Sequence, residues 1–231
     1  MKKLIFNHKS YLLYEDVINY ISKYKNLNKE NYDCIIFPQL IYLPLFKDIE
    51  CELGAQNFYS SNMGSFTGEV NLESLKSIGV KYIMISQSER NKIMRETKFE
   101  SRDKLYKSLD AKFNTILCVG EERRLSKPFY SIKSKINFYL KNIEKNKLKK
   151  LSIVYEPSYS IGCADIKDIK YLNKIIMSIK NYIKNKYGIN VDVYYSGIIN
   201  SENFNNIINI CDGIVLGRRS TDISFINNLV K

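Results

Sequence analysis

The chain has 231 residues, a formal net charge of +12 and no run of about 18 apolar residues, so it can bury one large core but offers no membrane-spanning helix. Its lysines are spread along helical segments such as 141–150, with no Gly-Arg repeat, basic tail or recognition-helix pattern. The charge therefore reads as solvated helix faces, compatible with attracting small anions, rather than as a nucleic-acid surface.

Apolar β-type runs recur at 3–7, 33–38, 51–57, 82–86, 114–120, 151–156, 191–197 and 213–217. Most are continuous rather than alternating, as expected of strands buried on both faces of a parallel sheet. Helix-compatible segments lie between them. Tyr14–Tyr24 and Ile169–Tyr187 show apolar residues at three- and four-residue spacing, and 71–77, 129–143, 201–210 and 221–229 do so less regularly. Lys186-Tyr187-Gly188 has the composition of a helix C-cap. Eight strands alternating with helices predict a closed (βα)8 barrel, with an open doubly wound sheet as the alternative. No linker interrupts the pattern, so residues 1–231 are expected to form one domain.

The five cysteines, Cys34, Cys51, Cys118, Cys163 and Cys211, form no C-x-x-C pair, and four lie in apolar runs. They read as buried reduced thiols of a cytoplasmic protein. The N-terminus has too short an apolar run for a signal peptide. The single histidine, His8, supports neither a usual zinc site nor a Ser-His-Asp triad, so no metal is expected.

In a barrel the loops after the strands build the site. Those loops carry Asn7-His8-Lys9, the 64–69 segment, Gln87-Ser88-Glu89-Arg90, Gly120-Glu121, the segment from Glu156 to Cys163, Ser196-Gly197 and Gly217-Arg218-Arg219. Glu156 ends an apolar run and precedes Pro157, small residues and Gly162, which suits either a general base under a flap or a solvated carboxylate before a turn. Lys9 by position alone reads as a surface lysine of a lysine-rich chain, though a lysine in a barrel mouth suits a phosphate or a developing oxyanion. Ser88-Glu89-Arg90 suits a helix cap, with Glu89 pairing Arg90 or Lys9. Alternation along the first strand turns His8 toward the helices when Asn7 and Lys9 face the mouth, making it a packing residue.

Taken in order, these segments resemble the triosephosphate isomerase family over essentially the whole chain. Asn7-His8-Lys9 resembles its Asn-x-Lys, and Gly54-Ala55-Gln56-Asn57 its Gly-Ala-Gln-Asn. Gly64-Ser65-Phe66-Thr67-Gly68-Glu69 is similar to Gly-Ala-Phe-Thr-Gly-Glu, Cys118-Val119-Gly120-Glu121 to Cys-Val-Gly-Glu, and Ser88-Glu89-Arg90 to Ser-Glu-Arg. Tyr155-Glu156-Pro157 with Ile161-Gly162 resembles the catalytic glutamate and its lid. The resemblance implies a homodimeric TIM barrel that interconverts dihydroxyacetone phosphate and glyceraldehyde 3-phosphate through an enediol, in glycolysis and gluconeogenesis. Glu156 would take the proton on carbon, and Lys9, with Asn7 beside it, would hold phosphate and developing charge. Glu89 would orient Lys9 or assist proton transfer, and Thr67 would reach the other subunit's site. Ile161, Gly162, Gly197, Gly217 and Arg218 would line the substrate. No cofactor, metal, nucleic acid or membrane partner is implied.

Four departures stand against the family pattern. Gln87 replaces the electrophilic histidine, and an amide can donate a hydrogen bond but cannot shuttle a proton. The family's Tyr-Gly-Gly-Ser-Val becomes Tyr195-Ser196-Gly197-Ile198-Ile199, and its later Gly-Gly becomes Gly217-Arg218. The lid's Pro-Val-Trp-Ala becomes Pro157-Ser158-Tyr159-Ser160, with a second hinge at Asp165-Ile166-Lys167. They point to altered or reduced activity, with an isomerase for another sugar phosphate, or a degenerate anion-binding or interaction paralogue, as alternatives.

Overall fold

The computed structural model describes residues 1–123, 125–158 and 168–230. Eight strands follow the chain: β1 (Lys2–Asn7), β2 (Tyr32–Phe37), β3 (Glu52–Ala55), β4 (Tyr82–Ile85), β5 (Asn114–Val119), β6 (Leu151–Tyr155), β7 (Asp192–Ser196) and β8 (Gly213–Leu216). They pair in sequence order, all parallel, and β1 also pairs with β8, so the sheet closes into a barrel without an edge. The closed alternative is therefore the one realised.

Successive strand residues point to opposite faces. Ile5 faces inward with Ile35, Phe37, Met84, Ile116 and Val154, filling the barrel interior. Leu4 and Phe6 face outward, into the layer between sheet and helices. Both faces are dry, which is why the strands read as continuous apolar runs.

The helices are α1 (Tyr14–Tyr24), α2 (Leu72–Ser77), α3 (Ser88–Lys92), α4 (Lys98–Asp110), α5 (Pro128–Leu140), α6 (Ile169–Tyr187), α7 (Phe204–Ile210) and α8 (Ile223–Val230). α6 starts where the Asp168 side chain accepts from Lys170 N–H and stops at Gly188, whose φ is +67°. It buries Leu172, Ile175, Ile176, Ile179 and Ile183 on one stripe, each worth about 1.5–3 kcal/mol of transfer free energy.

α4 has no counterpart among the helices expected from apolar spacing. Its buried face carries Ser101, Lys104 and Ser108 beside Leu105 and Leu109, so polar residues interrupt the pattern. A reciprocal cap between Thr97 and Glu100 starts it. The 129–143 segment is helical only to Leu140, and Asn142 then takes a positive φ of 63°. Residues Leu40–Phe46, between β2 and β3, form a 3-10 turn.

Candidate active site

β1 delivers the first cluster. Ile5 points inward and Phe6 outward, so Asn7 turns in, His8 out and Lys9 in. Lys9 is left-handed, with φ +50°. Asn7 Oδ1 accepts the Lys9 N–H at 3.2 Å, and the Gln56 amide donates to the Lys9 carbonyl at 3.0 Å and to the Phe37 carbonyl at 2.9 Å. The backbone around Lys9 is thus gripped from two sides, which offsets the cost of that conformation.

His8 lies in the outer layer, edge-on to Tyr20 with ring centroids 4.4 Å apart. Among the described residues neither ring nitrogen has a hydrogen-bond partner. Burial holds its pKa down at about 3, so it stays neutral. It packs, as its position in the strand predicts.

The loop after β4 supplies the second cluster. Gln87 is buried; its Oε1 accepts from Asn7 Nδ2 at 3.0 Å and its Nε2 donates to the Gln56 carbonyl at 3.1 Å. Those contacts fix which end of the amide points where, because a flipped amide would set two carbonyl oxygens together. One N–H of Nε2 is left for another acceptor. Glu89 accepts from Lys9 Nζ, and Ser88 Oγ donates to its other oxygen at 3.3 Å. Burial alone would raise the Glu89 pKa, but the Lys9 hydrogen bond and charge, its own backbone N–H and Ser88 bring it below the usual carboxylate range. Arg90 does not pair with Glu89; it donates to Glu96 at 2.5 Å.

Glu156 follows β6, and its N–H donates to the Val119 carbonyl at 2.8 Å, extending the ladder by one residue. Gly120 makes this possible: a Cβ there would stand 1.8 Å from the Glu156 carbonyl oxygen. The Glu156 carboxylate accepts from Ser88 N–H and from Ser196 Oγ, each at 3.2 Å. Desolvation first, then the negative charge of Glu89, raise its pKa above the ordinary value against the pull of Ser88 and Lys9. The geometry therefore sets a paired, ionised Glu89 beside a more basic Glu156, two carboxylates pushed apart by their surroundings.

Gly217 closes the group: a Cβ on it would sit 3.7 Å from Lys9 Nζ. Gly197 lies under the Tyr195 hydroxyl, which a Cβ would meet at 2.2 Å. Asn7, Lys9, Gln87, Glu89, Glu156 and Gly217 are thus brought together at the C-terminal rim. Arg218 is not; its side chain is exposed, with the guanidinium 5.8 Å from the Tyr11 ring centroid. Ile161 and Gly162, with the rest of the 159–167 lid, lie outside the described residues. Thr67 is on an exposed loop. Glu121 follows the end of β5 as expected and is buried there, accepting from the Tyr155 hydroxyl at 3.0 Å. The Tyr171 hydroxyl of α6 also approaches the same carboxylate oxygen, at 3.5 Å.

Sequence reasoning missed two contributors. Gln56 links the β1 and β4 loops, and its only signal was its place in a recognised motif. Ser196 touches Glu156 across the β6–β7 boundary, a contact that only strand adjacency reveals. A cavity of about 550 Å³ opens beside Glu156 toward α5, with Ser88, Cys118, Lys92 and Lys135 in its walls. Lys9 and Gln87 are not among its lining residues, so the polar cluster, rather than this cavity, marks where chemistry would occur. Among the described residues, no three His, Cys, Asp or Glu side chains group as metal ligands.

A sequence model described as triosephosphate isomerase matches residues 2–231. This chain belongs to the triosephosphate isomerase family. A triosephosphate isomerase of Alkaliphilus metalliredigens is 38% identical over 178 residues, covering 73% of this chain and 72% of that protein. That of Wigglesworthia glossinidia brevipalpis is 37% identical over 211 residues, 85% and 81% of the two chains. That of Buchnera aphidicola is 30% identical over 230 residues, 94% and 90%. The family is one of aldose–ketose isomerases that act on a small phosphorylated triose. Among the described residues no helix is long and apolar enough to cross a membrane.

Proposed function

We propose that this protein interconverts dihydroxyacetone phosphate and D-glyceraldehyde 3-phosphate through an enediol, more slowly than a family member with a histidine at position 87. The observation that carries this is the meeting of a basic carboxylate, an oriented amide and a paired ammonium on one rim: Glu156, Gln87 and Lys9. Glu156, made more basic by burial and by Glu89, takes the proton from the carbon beside the carbonyl. Negative charge then grows on the carbonyl oxygen. The remaining Gln87 N–H and the Lys9 ammonium stabilise it there. Lys9 also attracts the substrate phosphate, and Glu89 holds it in place while two of its N–H bonds have no partner among the described residues. Gln87 cannot relay a proton between the enediol oxygens, so that transfer falls to Glu156 or to water.

The proposed working form is a cytoplasmic homodimer. The 64–69 loop supports it, standing exposed with Phe66 and Thr67 on its surface. Light scattering is expected to give a dimer at micromolar concentration.

A coupled assay with purified protein and each triose phosphate tests the activity, with Glu156→Asp as control. Turnover above background that falls in the control supports the isomerase. No turnover, with no protection from thermal unfolding by any sugar phosphate, overturns it in favour of a barrel that has lost catalysis.

A further inference from the structure

Register places Tyr155 opposite Tyr195, so the residues that follow them, Glu156 and Ser196, stand side by side at the rim. Ser196 Oγ donates to Glu156 Oε2 at 3.2 Å while Ser88 N–H donates to Oε1 at the same distance. The carboxylate is therefore bridged between the loop after β4 and the end of β7. Ser196 stands where the family motif quoted above has the first glycine of Tyr-Gly-Gly, so a glycine chain has no side chain to make this bond.

We propose that Ser196 is a positioning residue for the base: its hydroxyl holds the Glu156 carboxylate at the barrel rim and favours its ionised form. This rests on the reading of Glu156 as the base. A hydrogen bond to an ionised acceptor is roughly twice as strong as one between neutral groups, so the contact favours the carboxylate over the acid. Other groups act on Glu156 from the elements around it. Glu89, in α3, raises its pKa, and Lys9, after β1, lowers it. The buried Cys118 thiol, on β5, is kept neutral by burial and by both carboxylates. Ser196 adds a donor from the β7 side, opposite Ser88. It steadies the position of Glu156 and tempers the basicity that burial confers.

The test is titration of the Glu156 carboxyl by 13C NMR in ligand-free protein labelled at glutamate, assigned by its loss in Glu156→Gln. Ser196→Ala and Ser196→Gly are expected to raise its midpoint by about one pH unit. The acid limb of kcat/KM moves with it. Ser196→Thr, which keeps the hydroxyl, leaves both where they are. A serine with only a structural role would change thermal stability and not the midpoint. An unchanged midpoint in the Ala and Gly variants, or a Thr variant that shifts with them, overturns the proposal. Absence of triose phosphate turnover in the unaltered protein would defeat the isomerase reading separately, since the titration needs no turnover.

Discussion

The carbonyl oxygen of Glu156 occupies the space beside Gly120 where any other residue would carry its Cβ, 1.8 Å from that position. The end of β5 thus sets how far the end of β6 can close, and with it the height of the Glu156 carboxylate. Gly120→Ala is expected to push Glu156 outward. Overpacking of this kind costs about 1–3 kcal/mol, read as a fall in the denaturant midpoint. Turnover should fall by more than the loss of folded protein explains. Unchanged kcat in the folded variant would show that the β5 contact does not position the base.

Glu156→Gln keeps the shape of the side chain and removes the base. Turnover should drop by about 10³-fold, within the range for a positioned general base. The fold should be retained, because a neutral amide relieves both the burial of charge and its repulsion with Glu89. In the unaltered protein the acid limb of kcat/KM should lie above the ordinary carboxylate range, since the Glu156 pKa is raised. Persisting turnover in the Gln variant would move the role to Glu89.

Gln87 accepts from Asn7 and donates to the Gln56 carbonyl, leaving one N–H for substrate. Gln87→His restores a group able to pass a proton, and kcat is expected to rise by about 10²-fold. A steady-state comparison on both triose phosphates decides this. If kcat is unchanged while Arg218→Gly lowers KM, phosphate binding rather than proton transfer limits the protein.

Glu96 receives Arg90 at 2.5 Å, Lys104 at 2.6 Å and Ser101 at 2.7 Å, tying α3 to α4. Desolvation raises its pKa, but Lys104, Arg90 and Ser101 together hold it below the usual range. Its stabilising effect is therefore full above the ordinary glutamate pKa and fades as pH falls through the folded value. Glu96→Gln leaves two cations without a counter-charge and should cost about 3 kcal/mol near neutrality. Chemical denaturation at about pH 7 and about pH 2.5 checks both size and sign; an equal cost at the two pH values would remove the electrostatic explanation.

His8 gives a second, separable pH effect. The folded protein holds it near 3, whereas the unfolded chain takes up its proton near 6.5. The unfolded state thus binds the extra proton, and stability falls as pH drops from about 6.5 toward 3, by about 5 kcal/mol in total. Glu156, with its raised pKa, works in the opposite direction over part of this range. The difference between the unaltered protein and His8→Phe isolates the imidazole, because the chain holds no other histidine. Parallel stability curves for the two proteins between pH 7 and 4 would disprove the burial of a neutral ring.

The eight strands were legible because both their faces are dry, and their ends differ from expectation by at most two residues, as at Glu52–Ala55 within the 51–57 run. α4 was not legible because it is held by ions and hydroxyls: Lys104 reaches Glu96 and Asn57 from a face where spacing rules look for leucine. The gathering of Asn7, Lys9, Gln87 and Glu89 follows from knowing which strands they end. Of the bonds among them, the Lys9–Glu89 pair was one of two expected partnerships for Glu89, whereas the Asn7–Gln87 bond joins the β1 and β4 loops and depends on side-chain direction. Glu121 shows the limit: its place after a strand end is legible, but its burial beneath the Tyr155 hydroxyl is not.

Two left-handed residues, Lys9 at φ +50° and Ser86 at φ +62°, bracket the Asn7–Gln87 contact. Each costs about 1–2 kcal/mol relative to an ordinary backbone. The rim where these side chains meet therefore holds backbone conformations that the hydrogen bonds around them must offset. Relief of this backbone cost alone would favour glycine at both positions, and at position 9 that would discard the ammonium. The left-handed lysine marks a place where the chain has kept a charge at the expense of a more comfortable fold.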